Sequence, residues 1–249
     1  MEIKNNAKNE FNNYQQEIYI FDEFMNSLVG DRLINIGYWE FIIYPSSYVK
    51  KRITNLDDLE SVIKTSIIRL DQAYTPITNN SIINRSDNYL YSYAYSESNI
   101  EVFASFLSGL IIWNSVLWED MKGGRTIELN RPVLTIKSTV EQISVLYHFA
   151  KKYFESSGIK NDVHIKISLK NTNNRMLDGH IYSRPTPEFY IYNMAEINIL
   201  KKNKLIDLYN SHQKIAIKTI KDLFNAFGWY QEFEIDPLIN TIIRNNRYL

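Results

Sequence analysis

Val102-Phe103-Ala104-Ser105-Phe106-Leu107-Ser108-Gly109-Leu110-Ile111-Ile112-Trp113-Asn114-Ser115-Val116-Leu117-Trp118 is the longest stretch of the chain without a charge, and its reading decides the fold. A helix that crosses a bilayer needs about 20 consecutive, mostly apolar residues. This run falls short of that and is interrupted by Ser105, Ser108, Gly109, Asn114 and Ser115, so it reads as buried core. Its period suits helix and strand alike. The aromatic and β-branched content favours strands, with Ser108-Gly109 as a bulge or bend.

Working outward, residues 89–95 place tyrosines alternately with Leu, Ser and Ala, the pattern of a half-exposed strand, after a polar loop over 78–88. Residues 33–45 are rich in Ile, Tyr, Trp and Phe and predict a strand or strand pair. A helix follows, opened by Thr54 and Asp57 as an acidic capping box, with Leu59, Val62, Ile63, Ile67 and Leu70 on its buried side. It ends at Tyr74-Thr75-Pro76.

On the other side, Lys122-Gly123-Gly124-Arg125 predicts a turn into a strand over 126–129. Ser138 and Glu141 form a capping box for a helix over 138–154, with Ile143, Leu146, Tyr147, Ala150 and Phe154 inside and Gly158 as its C-terminal cap. Val163, Ile165, Ile167 and Leu169 then alternate with polar residues in a strand, and 189–192 predicts another.

Two helices end the chain. Ser211 caps the first, with Ala216, Ile220, Leu223, Phe224 and Phe227 inside and Gly228 as its stop. Asp236-Pro237 opens the second, with Arg244 and Arg247 near its negative end. At the other terminus Phe11, Tyr14, Ile18, Phe21, Met25 and Leu28 recur at spacings of three and four, the seam of an amphipathic helix. That seam suits docking on a partner or packing on its own domain. The interspersed elements predict an α+β fold: a mixed or antiparallel sheet packed with helices, in a single domain over 31–249 with an N-terminal helical extension over 1–30.

Lys plus Arg equals Asp plus Glu at 28 each, so no global field draws the protein to nucleic acid or anionic membrane. There is no cysteine, which removes disulfides, thiolate nucleophiles and cysteine-based zinc sites. His148, His164, His180 and His212 are scattered without metal-ligand spacing, and no Walker, Rossmann or nucleophile-elbow pattern is present. No metal or cofactor is expected. The N-terminus does not read as a secretory signal, and a cytoplasmic protein with no membrane association is expected.

Several blocks in order resemble an uncharacterised bacterial α+β accessory domain found beside Schlafen-type AlbA_2 DNA-binding modules or ATP-binding modules. They are the strand to Pro45 with the following helix and the Tyr74-Thr75-Pro76-Ile77 turn, then Phe103 to Gly109 with Leu117-Trp118-Glu119-Asp120. The Ser138 helix with the strand after it, and Phe224 to Trp229, complete the set. Together they cover nearly everything from residue 33 onward. The AlbA_2 module itself is missing and the family has no agreed catalytic residues. The resemblance implies a non-enzymatic, free-standing accessory or regulatory subunit whose protein partner is a larger ATPase or nuclease effector, in a regulatory or phage-defence operon.

Three sets of residues carry candidate functions. The seam Phe11, Tyr14, Ile18, Phe21, Met25 and Leu28 is the candidate partner surface. His164 and Lys166 share one face of their strand, with Asn171 where the HxK(x4)D phosphodiesterase motif has aspartate; the alternative is an enzyme acting on phosphodiesters. Lys214, Lys218 and Lys221 lie on one helical face and are the candidate contact for DNA or RNA, with a solvated helix face as the plainer reading.

Overall fold

The computed structural model describes residues 2–241 except 34, 69–74, 76, 78–80, 98, 179–189, 231–235 and 238, and only the backbone of 2–12, 31, 125 and 128. The uncharged run forms two adjacent strands, β4 (Ile100–Phe106) and β5 (Ile111–Val116). The reversal between them is tight: the Gly109 N–H donates to Phe106 O at 2.9 Å, and Gly109 takes a φ of +89° that favours glycine.

Beside β5 lies β1 (Tyr38–Pro45), paired antiparallel with Phe41 opposite Trp113. On its other side β1 pairs with β7 (Val163–Lys170), which pairs with β10 (Glu196–Asn203). With β2 (Asn84–Arg85) and β3 (Tyr89–Tyr95), the antiparallel sheet has the order β10-β7-β1-β5-β4-β3-β2. A small mixed sheet joins β6 (Val133–Thr135), β8 (Arg175–Asp178) and β9 (Ile191–Tyr192). The fold is α+β.

The two sheet faces are covered differently. Trp39, Phe41, Ile43, Phe103, Trp113, Ile165 and Ile167 face one core together with α2 (Leu56–Ser66), α4 (Ile136–Ser157) and α5 (Leu205–Ala226). Ile42, Tyr44, Val102, Ala104, Phe106 and Ile112 face a second core under α1 (Glu2–Val29). Period-two alternation in strands buried on both sides sends neighbouring residues to opposite cores.

The seam of α1 is spent inside the chain. Tyr14, Phe21 and Met25 are buried in the second core, with Ile18 and Leu28 half-buried at its border; the side chain of Phe11 lies outside the described residues. Polar contacts fix the helix in place: the Tyr14 hydroxyl donates to Pro45 O and Ser47 O at 3.1 and 3.0 Å. Buried Glu17 accepts from Ser108 Oγ at 2.6 Å. Rather than an extension presenting its apolar side to a partner, α1 is one layer of the fold, because the part of the sheet it covers carries the apolar side chains of Ile42, Tyr44, Val102, Ala104, Phe106 and Ile112.

Other expectations are corrected by tertiary contacts. Residues 126–129, read as strand, belong to a one-turn helix, α3 (Arg125–Leu129), whose Thr126 hydroxyl donates to Asp120 at 2.6 Å. The first helix of the domain is capped by Asn55, whose side chain accepts from Asp58 N, in place of a Thr54–Asp57 box, and it ends at Ser66, leaving Ile67 as its cap. The Ser138–Glu141 box does not form. Helix α4 starts at Ile136, and Ser138 instead donates to the buried Glu119 carboxylate at 2.6 Å. Helix α5 starts at Leu205 and breaks at Ser211, the expected start, where φ and ψ are −143° and 22°. Near the C-terminus 236, 237 and 239–241 are helical; Leu70, Tyr74, Pro76, Phe189, Arg244 and Arg247 lie outside the described residues. No helix among the described residues is long and apolar enough to cross a membrane.

Where the small sheet meets the large one sits a buried ionic hub. Asp120 accepts from Arg175 Nη1 and Nη2 at 3.1 and 2.6 Å and from the Gly37 N–H at 2.7 Å, while Arg175 also donates to Val133 O at 2.6 Å. A Cβ at Gly37 would lie 2.3 Å from Arg175 Nη2, so only glycine admits the guanidinium.

Candidate functional site

The tyrosines of β3 line a concave surface beside the end of α1. Alternation puts Tyr89, Tyr91, Tyr93 and Tyr95 on the α1 side of the sheet and Leu90 and Ser92 on the other. Tyr89 stacks on Phe106 at 4.9 Å and Tyr91 meets Phe24 of α1 edge-on at 4.7 Å, so both are half-buried. Helix α1 ends at Val29, and Gly30, with a φ of +40°, turns the chain into a short 3-10 segment over Gly30–Leu33. Tyr93 and Tyr95 therefore run past the cover and are 51% and 49% exposed.

The 3-10 segment carries Arg32, whose guanidinium sits 4.8 Å from the centre of the Tyr95 ring. A cation over a tyrosine face is attracted by the ring quadrupole, and exposed pairs contribute ~0.5–1 kcal/mol. Leu28, Val29, Arg32, Tyr93, Ala94, Tyr95 and Val102 line a groove of about 280 Å³. The groove offers aromatic faces, an apolar floor and one guanidinium. Among the described residues no carboxylate or imidazole lines it. Of the described seam residues proposed for partner contact, Leu28 lines it.

The other sequence-predicted sites are placed as follows. His164 and Lys166 do share the α1-side face of β7, but His164 packs edge-on against Tyr44 at 5.1 Å and Lys166 pairs with Glu40 at 3.3 Å. Asn171 is not beside them. It takes a φ of +54° and donates to Leu33 O and Ile36 O at 2.7 and 2.8 Å, holding a turn. Burial, then the Lys202 charge, lowers the His164 pKa. On α5 Lys214 and Lys218 are exposed, while Lys221 pairs with Asp236 at 2.6 Å. The fold brings these three sets together nowhere.

Two histidines far apart in sequence do meet: the rings of His148 on α4 and His212 on α5 lie 5.1 Å apart. Burial, then the neighbouring His212, Lys152 and Lys151, lowers His148 to about 4, and burial lowers His212 as well. Both are neutral at pH 7. Among the described residues no group of three or more His, Asp or Glu side chains is placed to hold a metal ion.

Glu101 of β4 is a strongly perturbed acid. It is half-buried on the strand beside Trp113, whose indole donates to it at 2.9 Å, and burial pushes it up to about 7 against the lowering effect of the Trp113 and Asn99 bonds. A raised carboxyl pKa means the folded protein binds the proton more tightly than the unfolded chain, so this contribution to stability is full below about pH 4.5 and is lost as pH rises through 7. At ~1.4 kcal/mol per unit the loss is at most about 3 kcal/mol. His148 acts with the opposite sign in the same window: its pKa is lowered, so its contribution is lost as pH falls from about 6.5 toward 4. Urea melts of wild type and Glu101→Gln at pH 5 and pH 8 separate the two. The variant should gain stability relative to wild type at pH 8 and not at pH 5; a difference independent of pH excludes a raised Glu101.

The groove was hidden from the sequence because its exposure depends on where α1 stops relative to β3. The available signal was the four tyrosines at period two, which a strand needs only in part for packing. No protein-family model, no curated protein and no solved structure matches this chain, so the reading of the site rests on its own geometry.

Proposed function

We propose that this protein is a non-enzymatic accessory or regulatory subunit that binds a larger protein through the Tyr93–Tyr95–Arg32 groove. The observation that carries the reading is the pair of half-exposed tyrosines on β3 beside the exposed Arg32 of the 3-10 segment. Tyrosine and arginine dominate the energetics of protein interfaces, since each offers a large contact area with a polar tip and little entropy to lose. Among the described residues lining the groove there is no paired acid and base of the kind that proton-transfer catalysis uses. The resemblance of the sequence to accessory domains supplies the class of partner, an ATPase or nuclease effector, as in a phage-defence operon.

The test is co-expression with an ATPase or nuclease encoded beside the gene, followed by affinity measurement on the purified pair. Tyr95→Ala and Arg32→Ala should each weaken the complex by about 2 kcal/mol, roughly thirty-fold in Kd, if they are central anchors. Tyr19→Ala, on the solvent side of α1 at 63% exposure, is the control and should leave the Kd unchanged. A complex that forms with equal affinity in all three variants places the interface elsewhere.

A further inference from the structure

The large sheet ends on one side at β10, eight residues long, and among the described residues no strand pairs with its outer edge. The opposite end is a strand of two residues, β2. An open edge of this length is a template for another strand, and proteins usually blunt it with lysine, proline or a covering loop. Here β10 reads Glu196-Ile197-Asn198-Ile199-Leu200-Lys201-Lys202-Asn203, acidic at its start and basic at its end. On the α1-side face Glu196, Asn198, Leu200 and Lys202 are all exposed, with Leu200 at 53%.

That order of charges selects the partner. A strand laid parallel to β10 with the same sequence would set lysine against lysine. Laid antiparallel about Ile199, a second β10 sets Glu196 opposite Lys202 at both ends, and Asn198 opposite Leu200 between them. Opposite charges across a strand pair stabilise it and like charges oppose it. The Glu196 carboxylate is shared with Lys170, its cross-strand partner on β7, at 2.5 Å and accepts from Asn198 Nδ2 at 2.7 Å, whereas Lys202 makes no ion pair among the described residues. Lysines that would repel a generic edge thus find a carboxylate in a second copy.

We propose that this protein forms a two-fold dimer by antiparallel pairing of β10 with β10 of a second copy, with Ile199 opposite its own symmetry mate. The contact is isologous, and among the described residues each copy has one open edge of this length, so the assembly closes at two instead of growing into a fibre. The surface lies at the other end of the sheet from the Tyr93–Tyr95 groove, which leaves the groove open in the dimer.

Edge pairing of eight residues is a small interface, so the dimer should be sought by light scattering at about 100 µM, a concentration suited to contacts burying under ~1,200 Å². The expected mass is twice 29.4 kDa. Lys202→Glu and Glu196→Lys should each return the mass of a monomer, and the double variant should restore the dimer. A second measurement does not depend on the charge variants. The chain has no cysteine, so Ile199→Cys should give a covalent dimer on mild oxidation while Asn193→Cys, outside the strand, should not. A monomeric wild type at that concentration, a dimer that persists in both single variants, or equal cross-linking from the two cysteines overturns the proposal.

Discussion

Replacing Asp120 by alanine should lower the free energy of unfolding by about 3–5 kcal/mol, since it leaves a buried guanidinium without its counter-charge. Arg175 is 1% exposed and spends its fork on Asp120, while Asp120 also holds the Gly37 N–H and the Thr126 hydroxyl. One substitution thus unties β1 at its start, α3 and the small sheet together. Against a usual total of ~5–15 kcal/mol, the variant should melt at far lower urea concentration than wild type. The double variant Asp120→Ala with Arg175→Met should be more stable than Asp120→Ala alone, because removing both charges also removes the uncompensated one. A loss under about 1 kcal/mol in the single variant would mean that Arg175 reaches water or another acceptor.

The second large effect is expected at Phe21. It is 1% exposed between α1 and the sheet, and deleting a buried phenylalanine side chain costs ~3–5 kcal/mol before any charge is added. Phe21→Asp adds the desolvation of a carboxylate, so α1 should leave the sheet or the protein should unfold, with exposed apolar surface detectable by dye binding. Tyr19→Asp on the same helix should be nearly neutral. This pair of variants distinguishes a helix that belongs to the core from one held in reserve for a partner: wild-type stability in Phe21→Asp would restore the partner reading of the seam.

Much of the architecture was legible because it rests on local pattern. The uncharged run from Val102 to Trp118 read as buried core, which holds for most of it although Trp118 is 49% exposed, and its β-branched and aromatic content predicted β4 and β5 with a bulge or bend at Ser108-Gly109 where the chain reverses. Period two in 163–170 and 89–95 predicted β7 and β3, and Gly158, which takes a φ of +66°, marked the end of α4. What failed was local chemistry overruled by a distant neighbour. Ser138 has the spacing of a cap, yet the buried Glu119 carboxylate competes for its hydroxyl, and the helix starts two residues earlier. Residues 126–129 suit a strand by composition, but the bond from Thr126 to Asp120 closes one helical turn there.

The candidate site divides along the same line. Composition and periodicity alone determined that this chain builds an α+β fold, that no cysteine chemistry is possible, and that α1 has an apolar side to bury. Such properties follow from which side chains repeat at 2.0 or 3.6 residues, and repetition is visible without coordinates. Tertiary structure decided everything that depends on which surfaces meet. It spent Tyr14, Phe21 and Met25 on the sheet, gave Lys166 to Glu40 and Asn171 to a turn, and brought His148 to His212 across two helices. It also ended α1 short of Tyr93 and Tyr95 and left the outer side of β10 without a strand among the described residues. Exposure is a difference between a side chain's own surface and what its neighbours cover, and the neighbours are set by strand order and register, which no stretch of sequence carries by itself.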